Sequence, residues 1–92
     1  MGGRVYVVIK VYPEDIDVNL NSLLGEIRKS LPKGVSLVKS EEEPIAFGLK
    51  ILKVHLIMPE ETEGGTSKIE EIIAQIKGVS QVEVAWLTRM SS

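Results

Sequence analysis

RVYVVIKVYP, residues 4 to 13, is the stretch on which the fold turns. Val5, Val7, Ile9 and Val11 share one side of a period-two repeat, and Tyr6, Val8, Lys10 and Tyr12 share the other. The run is a strand with one apolar face and one mixed face. Pro13 ends it, because proline cannot donate to a sheet ladder. Beyond a polar loop holding Asp15 and Asp17, the residues Leu20, Leu23, Leu24, Ile27 and Leu31 recur at helical spacing, with Asp17 or Asn19 available as N-cap. Pro32 and Gly34 stop that helix.

Val35 to about Glu42 forms a weaker strand, expected at a sheet edge where its acids discourage pairing with another molecule. Leu49 to Met58 is the pattern of a central strand, with Leu52, Val54, Leu56 and Met58 on one face and Leu49, Ile51, Lys53, His55 and Ile57 on the other. Ser67 and Glu70 have the spacing of a capping box at the start of a second helix. Its stripe is Ile69, Ile72, Ile73 and Ile76, and Gly78 stands where a left-handed C-terminal cap is needed. Val79 to about Met90 closes the chain as a strand, with Val82, Val84 and Trp86 on one face and Glu83, Ala85 and Leu87 on the other.

The order strand, helix, strand, strand, helix, strand predicts an α+β fold: a ferredoxin-like βαββαβ two-layer sandwich. Right-handed crossovers put both helices on one face of a four-stranded antiparallel sheet. The other face, with Tyr6, Lys10, Lys53 and His55, is left toward solvent or a partner. The 92 residues are expected to form a single domain, 1–92, with no room for a second.

Hydrophobic residues make up 43% and charged residues 26%, so the chain is expected to fold alone. Eleven basic and thirteen acidic side chains give a net charge of −2, too little to draw the chain to phosphate backbones or anionic lipid. Recognition must therefore be local. The absence of cysteine excludes disulfides and sulfur-based zinc sites. No secretory signal opens the chain, and no apolar run approaches the roughly 20 residues needed to span a bilayer. A cytoplasmic location, without membrane contact, is expected.

His55 has no second histidine or cysteine as co-ligand, so a solvated or partly packed strand histidine is the better reading than a metal ligand or general base. Glu41, Glu42 and Glu43, like Glu60, Glu61 and Glu63, read as solvated charge. Gly64 and Gly65 precede a helix, but no phosphate-loop lysine follows them. No nucleophile motif is present. Neither catalytic residues, nor a metal, nor a cofactor is expected. RNA-recognition modules share this topology, but their basic, aromatic strand motif is missing, and no direct nucleic-acid contact is expected. A small-ligand regulatory domain on the same scaffold stays open as an alternative, because such sites leave little trace in sequence, with an RNA-binding module as the third reading.

The chain's only phenylalanine lies in EEEPIAFGLK, residues 41 to 50. Phe47 reads either as a core side chain at the start of a strand or as an aromatic anchor on a rigid turn. Pro44 holds Glu43 extended, and Gly48 permits a backbone conformation closed to other residues. Arg89, near the end of the last strand, reads either as a solvated arginine or as a cation presented at a free tip.

PIAFGLK at residues 44 to 50, with the terminal VEVAWLTRM and the helix entrance EGGT, resembles the archaeal elongation factor 1-beta family. It is also similar to the C-terminal exchange domain of the eukaryotic counterpart. The likeness runs from Val5 to Met90. It implies a guanine nucleotide exchange factor, without covalent chemistry, whose partner is the translational GTPase elongation factor 1-alpha. It further implies partner-binding roles for Pro44, Phe47, Gly48, Arg89 and Met90. Phe47 would meet the GTPase surface, and Arg89 would reach the magnesium site. Two departures stand out: arginine replaces the lysine of eukaryotic relatives, and Ser91 and Ser92 lengthen the ending.

Overall fold

The backbone of β1 (Arg4–Pro13) is hydrogen-bonded on both sides, to β3 (Leu49–Pro59) and to β4 (Val79–Met90), both antiparallel. β2 (Ser36–Ala46) pairs with the free side of β3, giving the sheet order β2-β3-β1-β4. Helices α1 (Leu20–Ser30) and α2 (Gly65–Ala74) complete the βαββαβ sandwich expected from the sequence. This computed structural model describes residues 3–62 and 64–90. The expectations attached to Glu63 and to the Ser91–Ser92 ending lie outside the described residues.

One face of the sheet carries the core. Val7, Ile9 and Val11 of β1 and Leu52, Val54, Leu56 and Met58 of β3 pack with Leu23 and Ile27 of α1 and Ile69 and Ile73 of α2. Each such side chain contributes about 1.5–3 kcal/mol when fully buried, and together they fix which sheet face the helices cover. Asn19 caps α1 by accepting the Ser22 amide at 3.0 Å. The alternative cap, Asp17, is used elsewhere: its amide donates to the Asp15 carboxylate.

Three local expectations are corrected. First, α2 does not begin with a capping box. Gly64 is the N-cap, in a left-handed conformation with φ 81° and without a side-chain cap, which places Ser67 already inside the helix. Gly64 is dictated by space as well as by φ, because a Cβ there would lie 2.9 Å from Lys68 Cβ. At the other end Gln75 is the C-cap, and Gly78, with φ 98°, belongs to the following turn closed by Val79 N–H to Ile76 O.

Second, β2 continues past Glu42 to Ala46. Its acids are not simply solvated. Lys53 of β3 lies 3.8 Å from Glu41 and 3.9 Å from Glu43, and Lys50 lies 3.9 Å from Glu42. Pro44 is tolerated inside this strand because β2 is at the edge, where one side of the backbone has no ladder to supply.

Third, Trp86 does not share a face with Val82 and Val84. Val8 is opposite Trp86 while Ile9 is opposite Val84, so Ala85 is an extra residue in β4. A bulge of this kind breaks the period-two alternation. Val82 and Val84 pack against the core, and Trp86 turns to the open face with Tyr6.

Candidate functional site

The β2–β3 hairpin closes in two residues. Ala46 pairs with Leu49, leaving Phe47 and Gly48 as the loop, with φ 52° and 81°. Two successive positive φ values are the requirement of a type I′ turn, which asparagine and glycine satisfy easily and a phenylalanine does not. Holding a bulky residue there costs on the order of 1–3 kcal/mol. Phe47 gains no packing in return, since its relative exposure is 101%. The core reading of Phe47 is therefore excluded. Gly48 is a conformational requirement only, because a Cβ built on it would meet nothing within 4 Å.

At the far end, Arg89 is opposite Val5 and Met90 is opposite Arg4. The Arg89 side chain is 77% exposed but is not a lone cation, for its Nε contacts Glu60 Oε2. Glu60, read from sequence as solvated charge, is thus a functional candidate missed there; nothing in the spacing of residues 60 and 89 signals the pair. Met90, the next residue, is exposed.

The five sequence-predicted residues do not converge. Pro44, Phe47 and Gly48 lie at the hairpin end, and Arg89 and Met90 at the other. Between them β3 advances nine residues, from Leu49 to Met58, or about 30 Å at the usual strand rise. The molecule measures 45 Å along its longest axis.

The open sheet face lies between those ends. Tyr6 Oη is 2.8 Å from His55 Nδ1, and His55 Nε2 is 3.5 Å from Glu41 Oε1. In the neutral imidazole a proton on Nε2 satisfies both contacts, with Nδ1 accepting from the tyrosine; when the ring is protonated both nitrogens donate and it carries a charge facing Glu41. His55 is buried, at 9% exposure, so the packed reading holds and the solvated one does not. The Tyr6 ring meets His55 and Trp86 edge-on, at 5.8 and 5.9 Å between centroids. Tyr6, Val8, His55, Trp86, Thr88, Arg89 and Met90 line a shallow depression of about 420 Å³. Val8 and Trp86 were not singled out as site residues in the sequence, because the bulge that aims the indole has no signature there. Among the described residues no three histidine, aspartate or glutamate side chains converge as metal ligands.

The His55 hydrogen bond is the main cause holding the Glu41 carboxyl below its ordinary value of 4.5, with the charges of Lys39, His55 and Lys53 acting the same way and desolvation opposing them. The sign follows from linkage: a depressed folded pKa contributes stability above the unfolded value, and that contribution is lost as pH falls through the folded one. Glu41→Gln should therefore melt below the parent at about pH 6, with the gap closing toward about pH 3. Thermal denaturation across that range checks it. On the same face the Tyr12 hydroxyl donates to Glu83 at 2.9 Å, which raises the tyrosine pKa above 10.0.

Fold and site together define a ferredoxin-like α+β sandwich with a bare aromatic at one end of its sheet and a paired cation at the other. A structural likeness supports the fold alone: the C-terminal domain of the MgtC protein from Mycobacterium tuberculosis superposes with a TM-score of 0.59 at 16% identity, covering 97% of this chain and 89% of that one. Residues 6–90 match the EF-1 guanine nucleotide exchange domain, and the chain belongs to the elongation factor 1-beta family. Elongation factor 1-beta of Sulfurisphaera tokodaii is 55% identical over 86 residues, covering 94% of each chain. The protein of the same name from Ignicoccus hospitalis is 50% identical over 88 residues, covering 96% of this chain and 94% of its own.

Proposed function

We propose that this chain, acting as one domain, promotes GDP release and GTP loading on elongation factor 1-alpha during protein synthesis. The observation that carries the reading is Phe47, fully exposed on a turn whose backbone cost the fold does not recover. A side chain displayed at such expense suits contact with another protein. Pro44 and Gly48 shape the hairpin that displays it, and Arg89 with Met90 forms the second contact. The function needs no catalytic residue of its own. GDP is held on a GTPase by its phosphate-binding loop and by magnesium, and a cation placed near that metal competes for its position. Coupling between the two ligands is reciprocal: a factor that weakens nucleotide binding is itself displaced when nucleotide rebinds. A cytoplasmic factor without nucleic-acid or membrane contact fits the charge balance, and among the described residues no helix is long and apolar enough to cross a membrane.

The direct test is release of fluorescently labelled GDP preloaded on the cognate elongation factor 1-alpha. Substoichiometric amounts of this protein should accelerate release with repeated turnover. A release rate that stays at its spontaneous value at every dose refutes the proposal.

A further inference from the structure

We propose that Glu60 is a positioning residue for Arg89: it grips one edge of the guanidinium at the end of β4 and leaves the other N–H donors aimed outward. The inference rests on the exchange function proposed above and adds to it the residue that orders the cation before docking.

Glu60 follows directly on β3 and is tied down from several directions. Its amide donates to Gly3 O at 2.9 Å, which joins it to the start of β1. The turn after it is closed by two bonds to Pro59 O, from the Thr62 amide at 3.1 Å and the Thr62 hydroxyl at 2.6 Å. Gly3 lies against the carboxylate: a Cβ built there would be 2.9 Å from Glu60 Oε1, an atom at the free end of a flexible side chain. Arg89 is set across the sheet from Val5, and its Nε is the atom that meets Glu60 Oε2. The acid is the more sheltered partner, with 34% of its side chain exposed against 77% for the arginine.

An exposed ion pair contributes little to stability, so stability does not account for supports of this kind. Geometry does. A guanidinium carries five N–H donors in one plane, so a carboxylate on the Nε edge leaves donors on the remaining edges. An ammonium also has three donors, but they rotate freely about one nitrogen, so a carboxylate that holds it does not fix where the others point. Arginine at residue 89 can therefore be held and still offer donors to a second acceptor. Ordering it beforehand removes rotamer entropy that a loose side chain would lose when the cation is brought to the nucleotide site, a step that falls on the maximal rate and not on the initial docking.

The test compares the parent, Glu60→Ala, Glu60→Gln, Arg89→Ala and the double variant Glu60→Ala/Arg89→Ala in labelled-GDP release from elongation factor 1-alpha. Glu60→Ala should lower the maximal release rate about fivefold, the scale of an exposed ion pair, with the half-saturating concentration unchanged. Glu60→Gln keeps an acceptor oxygen and should return the rate to within about twofold of the parent, which also guards against poor folding of the alanine variant. In the Arg89→Ala background, Glu60→Ala should have no further effect. A readout without GTPase is the ¹⁵N relaxation of the Arg89 Nε resonance, that of a restrained side chain in the parent and of a freely moving one in Glu60→Ala. The inference is overturned if Glu60→Ala exchanges at the parental rate or faster, if it slows the Arg89→Ala protein equally, or if the resonance is indifferent to it. An inactive parent overturns the exchange function and this inference together, whereas an active parent with an indifferent Glu60→Ala overturns this inference alone.

Discussion

Phe47→Ala should raise the concentration needed for half-maximal GDP release about thirtyfold, the equivalent of about 2 kcal/mol for a buried aromatic anchor. The melting temperature should not fall. Phe47 makes no core contact, being fully exposed, and alanine bears the same Cβ restriction at φ 52°. Phe47→Gly removes the ring and also relieves the left-handed conformation. That variant should bind as weakly as alanine yet gain up to about 1 kcal/mol in stability, because glycine adopts positive φ without strain. A substitution that stabilises the free protein while weakening its complex is the signature of a residue kept for its partner. If Phe47→Ala instead unfolds the domain, or half-saturates with the parent, the anchor role is wrong. Titration of the factor against labelled-GDP release, with a thermal melt of each variant, separates these results.

The second large effect falls on rate rather than affinity. Arg89→Ala should lower the maximal release rate about thirtyfold or more, since removing one partner of a desolvated charge contact commonly costs 2–5 kcal/mol, with the larger share expected where the nucleotide is being displaced. In the free protein the same change removes only a surface pair with Glu60, and stability should move by about 1 kcal/mol or less. Arg89→Lys should fall between parent and alanine, because it preserves charge but not the planar fork. Saturating single-turnover measurements decide the matter: an Arg89→Ala protein with the parental plateau rate would rule out a role for the cation in displacement.

How far the sequence reaches depends on whether a feature is local. The alternation in residues 4–12 and 49–58 survives folding, because each strand buries one side against the helices, and so the element order and layer arrangement follow. Gly48 likewise marks the turn by its own stereochemistry, whereas Pro44 lies inside β2, paired with Lys50. What could not be read depends on a second strand. Ala85 is an extra residue only relative to β1, so nothing in VEVAWLTRM announces that Trp86 changes sides. β2 continues through three acids because Lys50 and Lys53 of β3 face them, which no inspection of β2 alone reveals. The pairing of Glu60 with Arg89 joins residues far apart in the chain. Ser67 misled for the converse reason: its spacing to Glu70 is that of a cap, but a left-handed glycine three positions earlier already starts the helix.

The separation of the two tips, about 30 Å along a hydrogen-bonded strand, gives the molecule something of a calliper's character. A β-sheet backed by helices does not stretch, so its jaws keep a constant opening. Any body seized by both must offer receiving points at that same spacing, and one that flexes to alter the spacing will slip from one jaw before the other. Release could then proceed in two small steps, neither of which requires every contact to break at once.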